Sequence, residues 1–154
     1  LKNNQLVTID IGCVFKNYCS DITRTFFFGN KPNKQQRHMY DLVFKAQQLG
    51  LKTIQVGFTG AYIDKKVRDF ILKDKVYGKL FVHGLGHGVG IEIHELPTLN
   101  PKYDKEILHN SVVTIEPGVY KDNFGGVRIE DKIVVTNKGI INLTEKATKD
   151  FFVK

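Results

Sequence analysis

Cysteine is scarce in this chain: Cys13 and Cys19 are the only two among 154 residues, too few for a disulfide framework. Long apolar runs are missing as well, so no segment reads as a membrane span. No charged-then-apolar leader pattern opens the sequence. These absences argue against a disulfide-stapled or membrane-embedded protein and favour a reducing, cytoplasmic setting. Arginine is sparse too. Of the 23 basic residues behind a formal charge of +7, only Arg24, Arg37, Arg68 and Arg128 are arginine. An evenly spread lysine excess without an arginine–aromatic stripe reads as solvated surface, so no nucleic-acid partner is expected. Internal repeats and low-complexity tracts are absent, and the first residue is Leu1 rather than methionine, which suggests a piece of something longer.

What is present suits one compact soluble domain: 42% hydrophobic and 25% charged residues over a length that supports a real core. Residues 6–15 and 20–28 are rich in Val, Ile, Thr and Phe and predict two strands joined by a polar turn near Lys16 and Asn17. Paired as a hairpin, they would bring Asp10 and Asp21 together on one face and set Cys13 opposite Cys19. Helical periodicity runs over 35–55, with Met39, Leu42, Val43 and Ala46 on the core side, and again over 61–73, with Ile63, Val67, Phe70 and Ile71. Strands are predicted at 80–82, 111–115, 119–120 and 127–135, a polar connection at 96–110 around Pro97 and Pro101, and a short helix at 145–152. His38 and His109 read as surface residues.

Four carboxylates interrupt these apolar strands: Asp10, Asp21, Glu116 and Glu130. An unpaired charge in such a place is costly. Between them lies Phe81-Val82-His83-Gly84-Leu85-Gly86-His87-Gly88-Val89-Gly90-Ile91-Glu92-Ile93-His94-Glu95, with three histidines and four glycines. Imidazole near neutral pH serves as metal ligand or proton carrier, and glycine lets backbone approach a ligand closely. Clustered carboxylates repel one another, and shared divalent cations would relieve that repulsion. Oxygen ligands with one imidazole suit manganese, cobalt, iron or zinc.

The ordered set Asp10, Asp21, His87, Glu116 and Glu130 is embedded in Ser20-Asp21-Ile22-Thr23-Arg24-Thr25, His83-Gly84-Leu85-Gly86-His87, His94-Glu95, Glu116-Pro117-Gly118 and Arg128-Ile129-Glu130-Asp131. This set resembles the dinuclear metallopeptidases of the pita-bread fold: methionine aminopeptidases, aminopeptidase P and the Xaa-Pro dipeptidases (prolidases). The Pro-Gly after Glu116 and the short loop to Glu130 are closer to the proline-directed branch. The resemblance implies an α+β creatinase/aminopeptidase fold, a curved antiparallel sheet with flanking helices. It also implies an incomplete one, with residues 1–154 as the carboxy-terminal portion of a catalytic domain whose start and amino-terminal domain are absent.

For function, the resemblance implies hydrolysis of Xaa-Pro bonds by an exopeptidase using two divalent metal ions, manganese foremost. Methionine aminopeptidase-like activity, or an inactive or purely binding module of the same fold, is the alternative. Asp10, Asp21, His87, Glu116 and Glu130 would be the ligands, with Asp21 and Glu130 bridging. Glu116 would shuttle a proton, His83 and His94 would act near the substrate oxyanion, Arg128 would bind substrate, and Thr23 would steady the ligand carboxylates. Peptides with proline in second position are the implied substrates, and a homodimer is expected. One departure is Thr98, which stands after His94-Glu95-Leu96-Pro97 where prolidases often carry an arginine for a dipeptide's free carboxylate.

Overall fold

The computed structural model describes residues 1–152. Strand β1 (Gln5–Ile11) pairs antiparallel with β4 (Ile22–Phe28), and the excursion between them closes on itself as β2 (Val14–Phe15) and β3 (Tyr18–Cys19). Lys16 and Asn17 both take positive φ at its tip, as a tight two-residue turn requires. The register places Val14 opposite Cys19. Cys13 instead exchanges hydrogen bonds with Ser20, so the expectation that the two cysteines face each other is corrected. Neighbouring strand residues point to opposite faces, and both thiols are free.

Helix α1 (Lys34–Thr53) starts at a reciprocal capping box, in which Asn33 accepts from the Gln36 amide and the Gln36 side chain accepts from the Asn33 amide. It buries Met39, Tyr40, Leu42, Val43, Ala46 and Gln47. Helix α2 (Gly60–Leu72) is capped by Thr59 and buries Ile63, Asp64, Val67 and Ile71. Both helices lie where periodicity predicts them. They pack on each other, with α2 against β6 (Glu95–Leu99) and α1 against β7 (Val112–Ile115).

The principal sheet is five-stranded and antiparallel. Its order is β11 (Gly139–Asn142), β10 (Asp131–Thr136), β7, β5 (Gly86–Gly88), β6. A further hairpin joins β8 (Gly118–Lys121) to β9 (Gly125–Arg128). The expected α+β architecture, helices against antiparallel strands, is what forms. The apolar core includes Val43, Val67, Leu85, Ile115, Val127 and Ile133, all fully buried or nearly so.

Three local expectations are corrected. Residues 80–82 are not a strand; a short 3-10 turn (Gly78–Leu80) lies there. The connection at 96–110 opens within strand β6, where the half-buried Pro97 falls in the irregular stretch between the pairings of Glu95 and Thr98 with β5. The tail at 145–152 is not helical, because its carbonyls are claimed from elsewhere. Arg24 donates to the carbonyls of Thr144, Ala147 and Thr148, and the Phe27 amide donates to the carbonyl of Phe151. His38, expected as a plain surface residue, is half-exposed and hydrogen-bonds Asp74 at 2.5 Å, whereas His109 is exposed as expected.

Candidate metal centre

Strand pairing builds the first part of the site. Asp10 on β1 stands opposite Thr23 on β4, and Asp21 lies two residues before Thr23, so all three fall on one face. Thr23 is fully buried and donates its hydroxyl to Glu130 Oε2 at 2.6 Å. Glu130 immediately precedes β10 and is anchored by its own amide, which donates to the Thr23 carbonyl at 3.0 Å.

His87 arrives from β5, the strand between β7 and the edge strand β6. Gly86 makes this possible: a Cβ there would collide with the Thr114 carbonyl of β7. The His87 amide donates to Thr114 Oγ1 at 3.0 Å, and that hydroxyl donates to Glu116 Oε1 at 3.2 Å. His87 Nδ1 lies 3.0 Å from the Gly88 carbonyl. With the proton on Nδ1, the Nε2 lone pair points into the cluster, the orientation metal-binding imidazoles adopt. Nε2 is 3.1 Å from Glu116 Oε1 and 3.7 Å from Asp21 Oδ2.

Asp10, Asp21, His87, His94, Glu116 and Glu130 together line one cavity of about 230 Å³. Ligand atoms of Asp21, His87 and Glu130 lie within 4.8 Å of one another. Asp10 belongs to the cavity wall, but its carboxylate is turned to Arg128 Nη2 at 2.5 Å. An adjoining cavity of about 360 Å³ is bordered by His83, His94, Thr98, Tyr120 and Arg128. The His94 ring lies 4.2 Å from that of His87, centroid to centroid.

Tyr120 is the participant that sequence reasoning missed. Its hydroxyl stands 3.0 Å from His83 Nε2 and accepts from Arg128 Nη1 at 2.9 Å, linking His83 through Arg128 to Asp10. In sequence it is one aromatic in a short apolar strand, and nothing separates it from a core residue. Asp131, next to Glu130, is neutralised by the buried Arg24 at 2.8 Å and by Lys149 at 2.9 Å.

Crowding of acids in a sheltered place shapes the electrostatics. Burial pushes the Glu130 carboxyl up to about 8, the charge of Glu116 adds to this, and the Thr23 hydroxyl pulls the other way. Asp21 is raised by burial and then by Asp10. Burial lowers the affinity of His87 for a proton, but the hydrogen bond with Glu116 and neighbouring negative charge outweigh it and bring the imidazole to about 8. All three shifts mark a cluster short of positive charge.

Both the sequence and the fold resemble known proteins. The pattern of metallopeptidase family M24 matches residues 1–137. The chain belongs to metallopeptidase family M24. A Pyrococcus furiosus protein named Xaa-Pro dipeptidase is 43% identical over 146 residues, which is 94% of this chain and 41% of that one. The X-Pro aminopeptidase of Thermotoga maritima superposes with a TM-score of 0.93 at 36% identity, covering 100% of this chain and 43% of the other. The prolidase of Pyrococcus horikoshii does so with 0.93 at 39% identity, covering 99% and 43%. This M24 chain therefore has the pita-bread fold and spans about two-fifths of the length of these relatives.

Membership of M24 implies divalent metal ions, and the residues fit them. The site offers hard carboxylate oxygens, one imidazole whose Nε2 faces those oxygens, and an excess of negative charge that a cation would relieve. No helix among the described residues is long and apolar enough to cross a membrane.

Proposed function

We propose that this site hydrolyses Xaa-Pro peptide bonds as a dinuclear metallopeptidase, in the longer enzyme to which such a domain belongs. The observation that carries the reading is the convergence of Asp10, Asp21, His87, Glu116 and Glu130 on one small cavity. The five would hold two divalent ions, manganese foremost and cobalt, zinc or iron as alternatives. When bound, such ions polarise the scissile carbonyl and acidify a water.

The chain's own groups carry the remaining steps. Glu116 takes the water proton as oxygen adds to the carbonyl carbon, then delivers it to the prolyl nitrogen as the C–N bond breaks. His94 or His83 donates a hydrogen bond to the developing oxyanion. Arg128 contributes positive charge on the substrate side of Glu116, with its Nε 3.9 Å from Glu116 Oε2. Thr23 holds Glu130 in place from behind. Thr98, which borders the adjoining cavity, offers a dipeptide's carboxylate no cation, so longer Xaa-Pro peptides should be accepted as well.

Two free cysteines agree with a cytoplasmic setting. Exposed Ile11, Val14 and Phe15 on the β1–β2 edge favour self-association to a homodimer. A light-scattering mass of two chains is the expected result, and a clean monomer refutes that part.

The deciding experiment gives manganese-loaded protein Ala-Pro, Ala-Pro-Gly and Met-Ala-Gly together and identifies products by mass spectrometry, with Glu116→Ala as control. Cleavage of the proline peptides by the wild type alone supports the reading. Cleavage of Met-Ala-Gly instead, or no cleavage with metal bound, overturns it for these residues.

A further inference from the structure

The five residues before strand β5 carry His83 but have little sheet pairing of their own. Their polar backbone is gathered instead by one ion pair on α2. Asp64 is fully buried and receives the Arg68 guanidinium in two contacts, Nε to Oδ2 and Nη2 to Oδ1, each 2.8 Å. The pair could have been self-contained, as an ordinary i,i+4 salt bridge is. It is not. Arg68 also donates to the carbonyls of Phe81 at 2.9 Å and His83 at 2.7 Å, and Asp64 Oδ1, at 3.1 Å, shares the Leu85 amide with the Leu99 carbonyl at 2.7 Å. The Leu85 carbonyl in turn accepts from the Glu116 amide at 2.8 Å, which anchors the downstream end of the segment.

Side chains repeat the connection. The guanidinium lies 4.2 Å from the Phe81 ring centroid, and that ring meets the His83 ring edge-on at 5.1 Å. Held this way, His83 directs Nδ1 to the Gly84 carbonyl at 2.8 Å and Nε2 to the Tyr120 hydroxyl. Stability alone is a poor reason for such a pair, since apolar residues of similar volume replace buried ion pairs at little or no loss. A guanidinium held by its own aspartate through two hydrogen bonds, with two more directed to the carbonyls of one segment, is better suited to fixing that segment's geometry.

We propose that Arg68, oriented by Asp64, is a positioning residue for His83, setting its ring orientation and tautomer. This rests on the proposed peptidase reading only for its kinetic consequence. The test uses the full chain with Arg68→Met, which keeps the apolar stem and loses the donors, and Arg68→Lys, which restores one donor. Zinc-loaded protein is examined by nitrogen-15 NMR of the histidine rings, and manganese-loaded protein is assayed on Ala-Pro-Gly in a double-mutant cycle with His83→Ala.

The expected spectrum of Arg68→Met shows His83 ring nitrogens displaced toward a mixture of tautomers while His109 and His38 stay fixed, with partial recovery in Arg68→Lys. The expected kinetics show a 10- to 100-fold loss in kcat/KM that falls below about threefold when His83 is already alanine. A lower melting temperature with unmoved His83 signals, or fully additive losses, overturns the proposal and leaves a merely structural pair. If Arg68→Met does not fold, Arg68→Lys is judged by the same signals. If the wild type cleaves nothing, the peptidase reading fails while the NMR result still decides the positioning claim.

Discussion

Replacing Glu130 by glutamine should make the metal-free protein more stable at alkaline pH, although it removes a proposed ligand. The Glu130 carboxyl is 2% exposed, and burial together with the Glu116 charge raises it from 4.5 to about 8. A group raised on folding stabilises the native state fully below its unfolded value and ceases to do so as pH climbs through its folded value. His87, raised from 6.5 to about 8, acts in the same direction. Stability without metal should therefore fall between pH 5 and pH 8.5. The separation from 4.5 to about 8 is worth at most about 5 kcal/mol; water entering the cluster reduces this, leaving about 2–5 kcal/mol. For a chain of this length that is roughly 5–15 °C in Tm. Thermal unfolding by circular dichroism after chelator treatment, at pH 5.5 and 8.5, measures it. Glu130→Gln should flatten the pH dependence, and manganese should raise the wild-type Tm at pH 8.5 but hardly that of the variant. A wild type with equal Tm at both pH values, or a variant with an unchanged slope, refutes the reasoning.

Thr23→Val removes the hydroxyl on Glu130 while keeping shape; metal affinity should drop about 10–100-fold by isothermal titration, with little change in secondary structure. Gly86→Ala drives a methyl group into the Thr114 carbonyl, so β5 must move. The expected result is a loss of about 1–3 kcal/mol in denaturant unfolding, together with lost metal binding as His87 is displaced. Arg24→Met strands the buried Asp131 without one of its cations, and about 3–5 kcal/mol should disappear from urea unfolding.

Much of the site was legible because strand alternation is a local rule. Asp10, Thr23 and Asp21 share a face for the same reason that their apolar neighbours share the other, and helices α1 and α2 follow their 3.6-residue stripes. Parts governed by distant partners were not legible. Residues 145–152 have helix-compatible composition, but Arg24, more than a hundred positions earlier, takes their carbonyls. Asp64 and Arg68 look like any exposed i,i+4 pair until the chain folds the Phe81–Leu85 segment across them. Tyr120 gains its role only through Arg128 and His83. Even the cysteine pairing depended on a single position of register, which composition does not encode.

Register has a further consequence at the join between β4 and β10. Thr23 and Arg24 are consecutive, as are Glu130 and Asp131, yet Thr23 bonds Glu130 on the cavity side while Arg24 bonds Asp131 and the tail on the other. A one-residue slip of β4 would carry a guanidinium into the acid cluster and a threonine to a buried aspartate. Both errors are severe, and they occur together. The duplicated pairing thus makes the native alignment of the two segments the one that satisfies both sides. Single-residue insertions or deletions between Asp21 and Thr25 should be rejected outright in a deletion scan, whereas the 122–124 turn should accept them.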